Sequence, residues 1–356
     1  LPRISSSAAD LSSARGGFII GFPKNSIAAR AGLNAGPLSA STRSGYLLGI
    51  VATLFFSANG IFIALLARRH GAPVLVIAVW RDIIASLALA LVLALRSPRL
   101  LALSFRDLLF LLGNGAVLAL FNLIWTISVV TNGAAAATLL VYSSGGFTVI
   151  LGKLIFGERA GPWKAAAVVA SLAGSALVSG IFTSAGREVG PLGAVAGISS
   201  GLAYAAYSLM GKGGAKRGIS PWTSVCYSFG FAALFLLVAR ELPAGILPAG
   251  AAGQGELLLP GRSLEAWGLL VLLAIGPTAI GFGLYNASMA VLPAGTANLV
   301  VSSEPIFAAI MAYFFLGESL GPAALWGGML ILSAIVMLRL GESKMPRRSP
   351  VRKSDA

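Results

Sequence analysis

Residues 294–338 read AGTANLVVSSEPIFAAIMAYFFLGESLGPAALWGGMLILSAIVML. Two apolar runs, 294–316 and 322–338, flank a short Gly-Glu-Ser-Leu-Gly-Pro break, and Glu304-Pro305 lies inside the first run. Runs of about 20 apolar residues have the length of a bilayer-crossing helix. A carboxylate at the bilayer centre costs at least about 2.5–3.5 kcal/mol, so Glu304 is expected to do more than anchor. A weaker twin of this stretch occurs earlier, at 134–178.

The whole chain has the same character. Hydrophobic residues make up 57% of its 356 residues, charged residues only 11%, and the mean hydropathy is +0.87. A soluble domain carries about 25% charged residues, so the solvent for this surface must be lipid. The net charge of +14 does not indicate a nucleic-acid partner. The basic residues lie in tails and short gaps rather than on one amphipathic face, as in the cytoplasmic loops of membrane proteins. The single cysteine, Cys226, rules out a disulfide within the chain and reads as a packing residue. The single histidine, His70, reads as an exposed loop residue; a proton relay is the alternative. One Cys and one His cannot make a zinc cluster, and no phosphate-cradling loop ending in Gly-Lys-Ser/Thr occurs. No cofactor or metal is expected. Energy must come from an ion gradient, from exchange or from the solute's own gradient.

Residues 1–43 are rich in Ser, Ala and Gly, with Arg3, Arg15, Lys24, Arg30 and Arg43 against Asp10. They read as a disordered basic tail, although an organelle transit peptide has similar chemistry. Apolar runs then predict spans near 45–67, 73–95, 107–130, 134–156, 162–181, 190–211, 221–239, 266–290, 294–316 and 321–340. Pro73, Pro162, Pro221 and Pro322 suit first helical positions. The stretch 240–265 reads as an irregular loop, and 341–356 as a basic tail. With the N-terminus inside, Arg68, Arg69, Arg187, Arg240 and Arg262 fall outside, Arg81 lies within a span, and the other Lys and Arg fall inside. That bias, roughly four to one, places both termini in the cytoplasm. The Ala/Gly/Leu-rich composition fits a bacterial inner membrane.

Sliding the first half onto the second by 160 residues aligns Gly157-Glu158 with Gly317-Glu318 and Gly161-Pro162 with Gly321-Pro322. Ala134, Leu139, Ser143 and Phe147 then meet Ala294, Leu299, Ser303 and Phe307. The polar and Gly/Pro punctuation carries the match, because apolar helices coincide by chance. Two copies of five spans, an odd number, must insert with opposite orientation, at 44–181 and 189–340. The expected fold is an all-α polytopic membrane protein with ten transmembrane helices in two inverted five-helix repeats. Inverted repeats place a solute site near the midplane and open it to alternate faces.

These residues resemble the EamA family of the drug/metabolite transporter superfamily. The resemblance rests on Leu292-Pro-Ala-Gly-Thr-Ala297, Ser303-Glu-Pro-Ile-Phe307 and Gly317-Glu-Ser-Leu-Gly-Pro322. Arg81, Tyr204 to Tyr207 and Lys212 also look like family positions. It implies ten helices in two halves, cytoplasmic termini, and export or exchange of small metabolites or drugs. Two departures stand out: Ser143-Ser144-Gly145 occupies the place of Ser303-Glu304-Pro305, and Phe55 to Asn59 lacks the family's tryptophan.

Within the spans, Arg81 and Asp82 lie mid-way along the second and Glu304 mid-way along the ninth. Buried charge faces a bundle interior or a hydrated cavity. Arg81 could clamp a solute carboxylate or phosphate and Glu304 could carry a coupling proton; the plainer alternative is a structural ion pair. Asn59, Asn122, Trp125, Tyr204, Tyr207, Tyr285, Asn286, Asn298 and Ser303 suit a pocket for a mixed apolar–polar solute; ordinary interhelical hydrogen bonding is the alternative. Glu158 and Glu318 read as solvated turn carboxylates capping the next helix, and Lys153 as snorkelling. Gly193, Gly197 and Gly201 form a close-packing face, within a monomer or between the subunits of a homodimer. Gly197-Ile-Ser-Ser-Gly201 matches a nucleophile elbow only in letters, because it lies inside an apolar helix. The expected function is a secondary transporter, exporting or exchanging small metabolites such as amino acids, with protons or a counter-solute as coupling partner. A drug or cation exporter and a non-transporting scaffold are the alternatives; an enzyme is not expected.

Overall fold

The structure is a computed structural model that describes residues 40–132, 134–158, 161–178, 190–240, 263–316 and 322–343. Helices α1 Ala40–His70, α2 Val74–Arg96 and α3 Phe105–Asn132 come first. Then follow α4 Ala134–Val141, α5 Ser144–Phe156, α6 Pro162–Val178, α7 Pro191–Lys216 and α8 Pro221–Arg240. Helix α9, Leu264–Leu273, passes through a π-helical segment, Ala274–Gly281, into α10, Phe282–Val291. The chain ends in α11 Ala294–Val301, α12 Glu304–Leu316 and α13 Pro322–Ser343. No strand occurs among the described residues.

These helices are apolar on both faces, which marks lipid as their solvent. In α2, Ala85, Leu89 and Leu93 are buried while Leu87, Leu91 and Leu95 are exposed. Eight helices among the described residues are long and apolar enough to cross a membrane. The other two expected spans fall on α6, of 17 residues, and on α13, whose apolar part is Leu325–Leu338. The protein is an integral membrane protein.

Several sequence expectations need correction. Helix α1 begins at Ala40 and α13 runs to Ser343, so the two tails are shorter than 1–43 and 341–356. The remaining tail residues, residues 241–262 of the loop expected at 240–265, and Glu318 lie outside the described residues; Arg240 ends α8, and Leu264 and Glu265 already belong to α9. His70 is the last residue of α1 and is partly buried, not an exposed loop residue.

The spans 134–156 and 294–316 are not continuous helices. Each breaks after its first eight residues, at Tyr142-Ser143 and Ser302-Ser303. Pro305 accounts for one break, since it cannot donate to Val301. The other contains no proline. What the two share is a serine. Ser143 donates both its N–H (3.1 Å) and its hydroxyl (2.6 Å) to Leu140 O; Ser303 does the same to Val300 O, at 3.1 and 2.7 Å. Such tight i→i+3 turns end a helix by satisfying its last carbonyls locally.

The π-helical segment has a similar origin. Pro277 cannot donate to Leu273 O, and the Thr278 hydroxyl supplies the bond instead, at 3.0 Å. The helix widens there without leaving a buried carbonyl unpaired.

Helix packing follows a regular scheme. α6 packs on α13, α2 on α8 and α5 on α11. α3 packs on α7, as α1 does on α10, and α7 also covers α4 and α5, as α1 covers α11 and α12. Glycines set the closest approaches. A Cβ at Gly174 would meet Gly327 O at 2.6 Å, and one at Gly115 would meet Ser228 O at 2.9 Å. The Gly197 and Gly201 face is occupied within the chain, against Leu140 and Ser143, and the Ser128 hydroxyl donates to Gly193 O at 3.1 Å. The ladder is therefore an internal packing face, not one free for a second copy.

Candidate functional site

Two polar clusters lie side by side in the apolar interior. The first joins α2 to α3. Arg81 Nε donates to Asp82 Oδ1 at 3.0 Å, Arg81 also donates to Asn122 Oδ1 at 3.2 Å, and Asn122 Nδ2 returns a bond to Asp82 Oδ2 at 3.2 Å. The triangle is closed, and Arg81 and Asp82 are only 6% and 0% exposed. Its charges are neutralised where lipid and protein would otherwise penalise them.

The second cluster joins both halves of the chain. The Ser144 hydroxyl donates to Asn298 Oδ1 (3.2 Å), and Asn298 Nδ2 donates to the Tyr285 hydroxyl oxygen (3.3 Å). The Tyr285 and Ser208 hydroxyls are 2.8 Å apart, and Ser208 donates to Tyr204 O at 2.8 Å. Because Ser208 gives its proton to the backbone, Tyr285 is the donor of that pair. The bonds therefore point one way, from α5 through α11 and α10 to α7. Tyr204 stacks on Tyr285 at 6.1 Å between centroids and on Tyr207 at 6.2 Å, and Phe56 and Phe282 close the aromatic group. Asn286 Nδ2 donates to the Tyr207 hydroxyl at 3.2 Å, while its buried Oδ1 has no protein partner.

Glu304 sits at the first turn of α12, just past the break, and the Tyr142 side chain at the other break lies beside its carboxyl. The two helix breaks thus face each other through an acid and a phenol.

Of the candidate residues, Tyr204, Tyr207, Tyr285 and Asn286 come together in one group, with Glu304 beside it. Arg81 belongs to the neighbouring triangle. Ser303 uses its hydroxyl to close the α11 break. Trp125 packs at the seam of two apolar clusters. Asn59 on α1 has a buried Oδ1 without a protein partner. Tyr142, Ser144 and Ser208 belong to the site and were not expected from sequence. The available signal was register across the repeat, where Ser144 takes the place of Glu304 and Tyr142 that of Ser302. Among the described residues, no group of His, Cys, Asp or Glu could hold a metal ion.

The model of the EamA-like transporter family matches residues 43–180 and again residues 191–340. The chain belongs to the EamA-like transporter family. It is a membrane transporter of the drug/metabolite transporter superfamily, a family of transporters and not of enzymes. It is similar to an uncharacterized transporter of Archaeoglobus fulgidus, 28% identical over 224 residues, covering 62% of this chain and 74% of that one. It is also similar to the chloramphenicol-sensitive protein RarD of Pseudomonas aeruginosa, 28% identical over 200 residues, covering 56% of this chain and 60% of that one. A crystal structure of 18% identity superposes with a TM-score of 0.70, covering 84% of this chain and 97% of that one, and so shares the fold. In this EamA-like transporter, Glu158 is not a solvated carboxylate capping the next helix. It is partly buried and accepts from Ala294 N–H, at the start of α11, at 2.9 Å.

Proposed function

We propose that this EamA-like transporter is a secondary exporter or exchanger of small amphipathic metabolites such as amino acids, working by alternating access. Its ten spans form two inverted five-helix halves, with both termini in the cytoplasm of a bacterial cell. The observation that carries the reading is the pair of facing helix breaks. Ser143 and Ser303 stand 160 positions apart and make the same two bonds to equivalent carbonyls. The packing supports it too: exchanging the halves converts the α3–α7 contact into the α1–α10 contact and returns α2–α8 and α6–α13 to themselves. Even the glycine contacts recur, Gly197 with Leu140 and Gly49 with Val300, 160 residues apart on the partner side.

The solute class follows from the groups between the halves. Aromatic faces, hydroxyls and an unpartnered amide oxygen suit a solute with an apolar body and N–H donors. Arg81, already paired with Asp82, supports the triangle's packing. Glu304, at the break between α11 and α12, is the coupling or ammonium-binding acid. Solute flux into proteoliposomes tests this. The parent should transport, Glu304→Gln should lose coupled flux while folding normally, and unchanged coupled flux in that variant removes Glu304 from the mechanism.

A drug-like or cationic solute is the second reading. It is favoured by the relative described as a chloramphenicol-sensitive protein and by the acid at that break. A resistance screen in cells overproducing the chain, with amino-acid analogues in one arm and chloramphenicol in the other, separates the two.

A further inference from the structure

Glu158 does something that neither the central cluster nor the fold requires. Its helix, α5, ends in a left-handed Gly157 (φ 65°), and the Glu158 N–H returns to Gly152 O at 3.2 Å. This cap is the common way to end a helix, but here it turns the side chain back over Gly152. A Cβ at Gly152 would lie 2.9 Å from Glu158 Oε2, so the missing side chain is what makes room for the carboxylate. From there Oε1 crosses to the other half of the molecule and takes the N–H of Ala294, the first residue of α11, at 2.9 Å. Helix N-termini carry unpaired N–H groups and partial positive charge, so a carboxylate is a strong partner there.

The turn that precedes α11 is held from the other side as well. Lys212 on α7 donates to Met289 O at 2.7 Å and to Leu292 O at 2.6 Å, capping α10. Lys212 and Glu158 are close enough for their charges to interact. Helix α1 closes the third side. The Ser288 hydroxyl donates to Gly45 O at 2.8 Å, and a Cβ at Gly45 would lie 2.8 Å from Leu292. Five helices therefore converge on Leu292-Pro293. Most of the links, Lys212 to α10 among them, tie α10–α11 to its own half or to α1. Glu158 is the charged link from α5, and its Oε2 has no partner of its own.

We propose that Glu158 is the latch of a gate at the membrane face bearing Lys212: docked on the α11 N-terminus it holds α5 and α11 shut, and undocking opens the central cluster to that face. The latch rests on the alternating-access reading above. Lys212 is a positioning residue, keeping the α10–α11 turn where the carboxylate can find it.

The test uses full-length protein in proteoliposomes, with Cys226→Ser as background and Thr148→Cys as reporter. Thr148 is fully buried on α5, one turn beyond Ser144. A membrane-impermeant maleimide is applied from each face in turn. Glu158→Ala should speed labelling from the Lys212 face about tenfold, the scale of one lost charge-assisted bond. Gly152→Ala, which keeps the acid but displaces it, should do the same. Lys153→Ala, exposed on the same helix, should not. Unchanged labelling in both Glu158→Ala and Gly152→Ala overturns the latch, and so does an equal rise from both faces. If that happens while the parent still transports solute, alternating access stands without the latch. If the parent carries no solute, the transport reading fails and takes the latch with it.

Discussion

Arg81, Asp82 and Asn122 satisfy one another, so removing one member leaves the others exposed to the cost the triangle exists to avoid. Arg81→Ala should destabilise the protein by about 3–5 kcal/mol, because it strands a buried carboxylate. Arg81→Met combined with Asp82→Leu should recover more than half of that loss, since a neutral pair needs no partner. Unfolding midpoints in detergent would check both. If the double variant is as unstable as the single one, the triangle has a role beyond charge neutralisation. Tyr285 poses a different question. Its oxygen accepts from Asn298 and its proton goes to Ser208, so Tyr285→Phe should cost about 1–2 kcal/mol. It should also lower solute flux. A stability loss with flux intact would make the tyrosine structural only.

At the scale of the helix, glycine position matters more than glycine count. Gly115 and Gly174 lie where backbone meets backbone, and a methyl group there must move a helix. Gly115→Ala and Gly174→Ala should each cost about 1–3 kcal/mol through overpacking. Gly60 has nothing within 4 Å of its Cβ position. Gly60→Ala should be neutral or stabilise by up to about 1 kcal/mol, because glycine is a poor helix former. Thermal unfolding of the three variants side by side would decide whether these crossings set the packing.

The same scale shows what the amino-acid order could reveal. In their described residues the predicted spans are helical, two of them as broken pairs, because lipid demands long apolar runs and helices satisfy their own backbone. The break at Tyr142-Ser143 was hidden because it has no proline. A serine hydroxyl ends that helix, and serine is too common in such helices to signal a break. Pro277 was visible, but a proline does not announce that Thr278 will take over the missing bond. The tyrosines stood out as polar groups in apolar runs. Ser208, bonded to Tyr285, and Ser144, bonded to Asn298, did not, since only the fold brings them within reach. Glu158 was legible as an acid at a helix end. That its bond crosses to α11 depends on contacts 136 residues apart, which no local pattern records.

For the molecule as a whole, the decisive quantity is the sign of the relation between its halves. A direct repeat and an inverted repeat contain the same helices and the same midplane groups, but only the inverted one offers each half's opening to a different face. Trp163 and Ala323 separate the two. They are equivalent under the 160-residue shift, lie in the first turns of α6 and α13, and are both exposed. In a Cys226→Ser background, Trp163→Cys should react with an impermeant thiol reagent only from the cytoplasmic face, and Ala323→Cys only from the opposite one. Arg99→Cys and Arg68→Cys, exposed near opposite ends of α2, calibrate the two faces. Labelling of Trp163→Cys and Ala323→Cys from the same face would make the halves parallel. The broken helices would then open together, and a midplane site between them could not be offered to one face at a time.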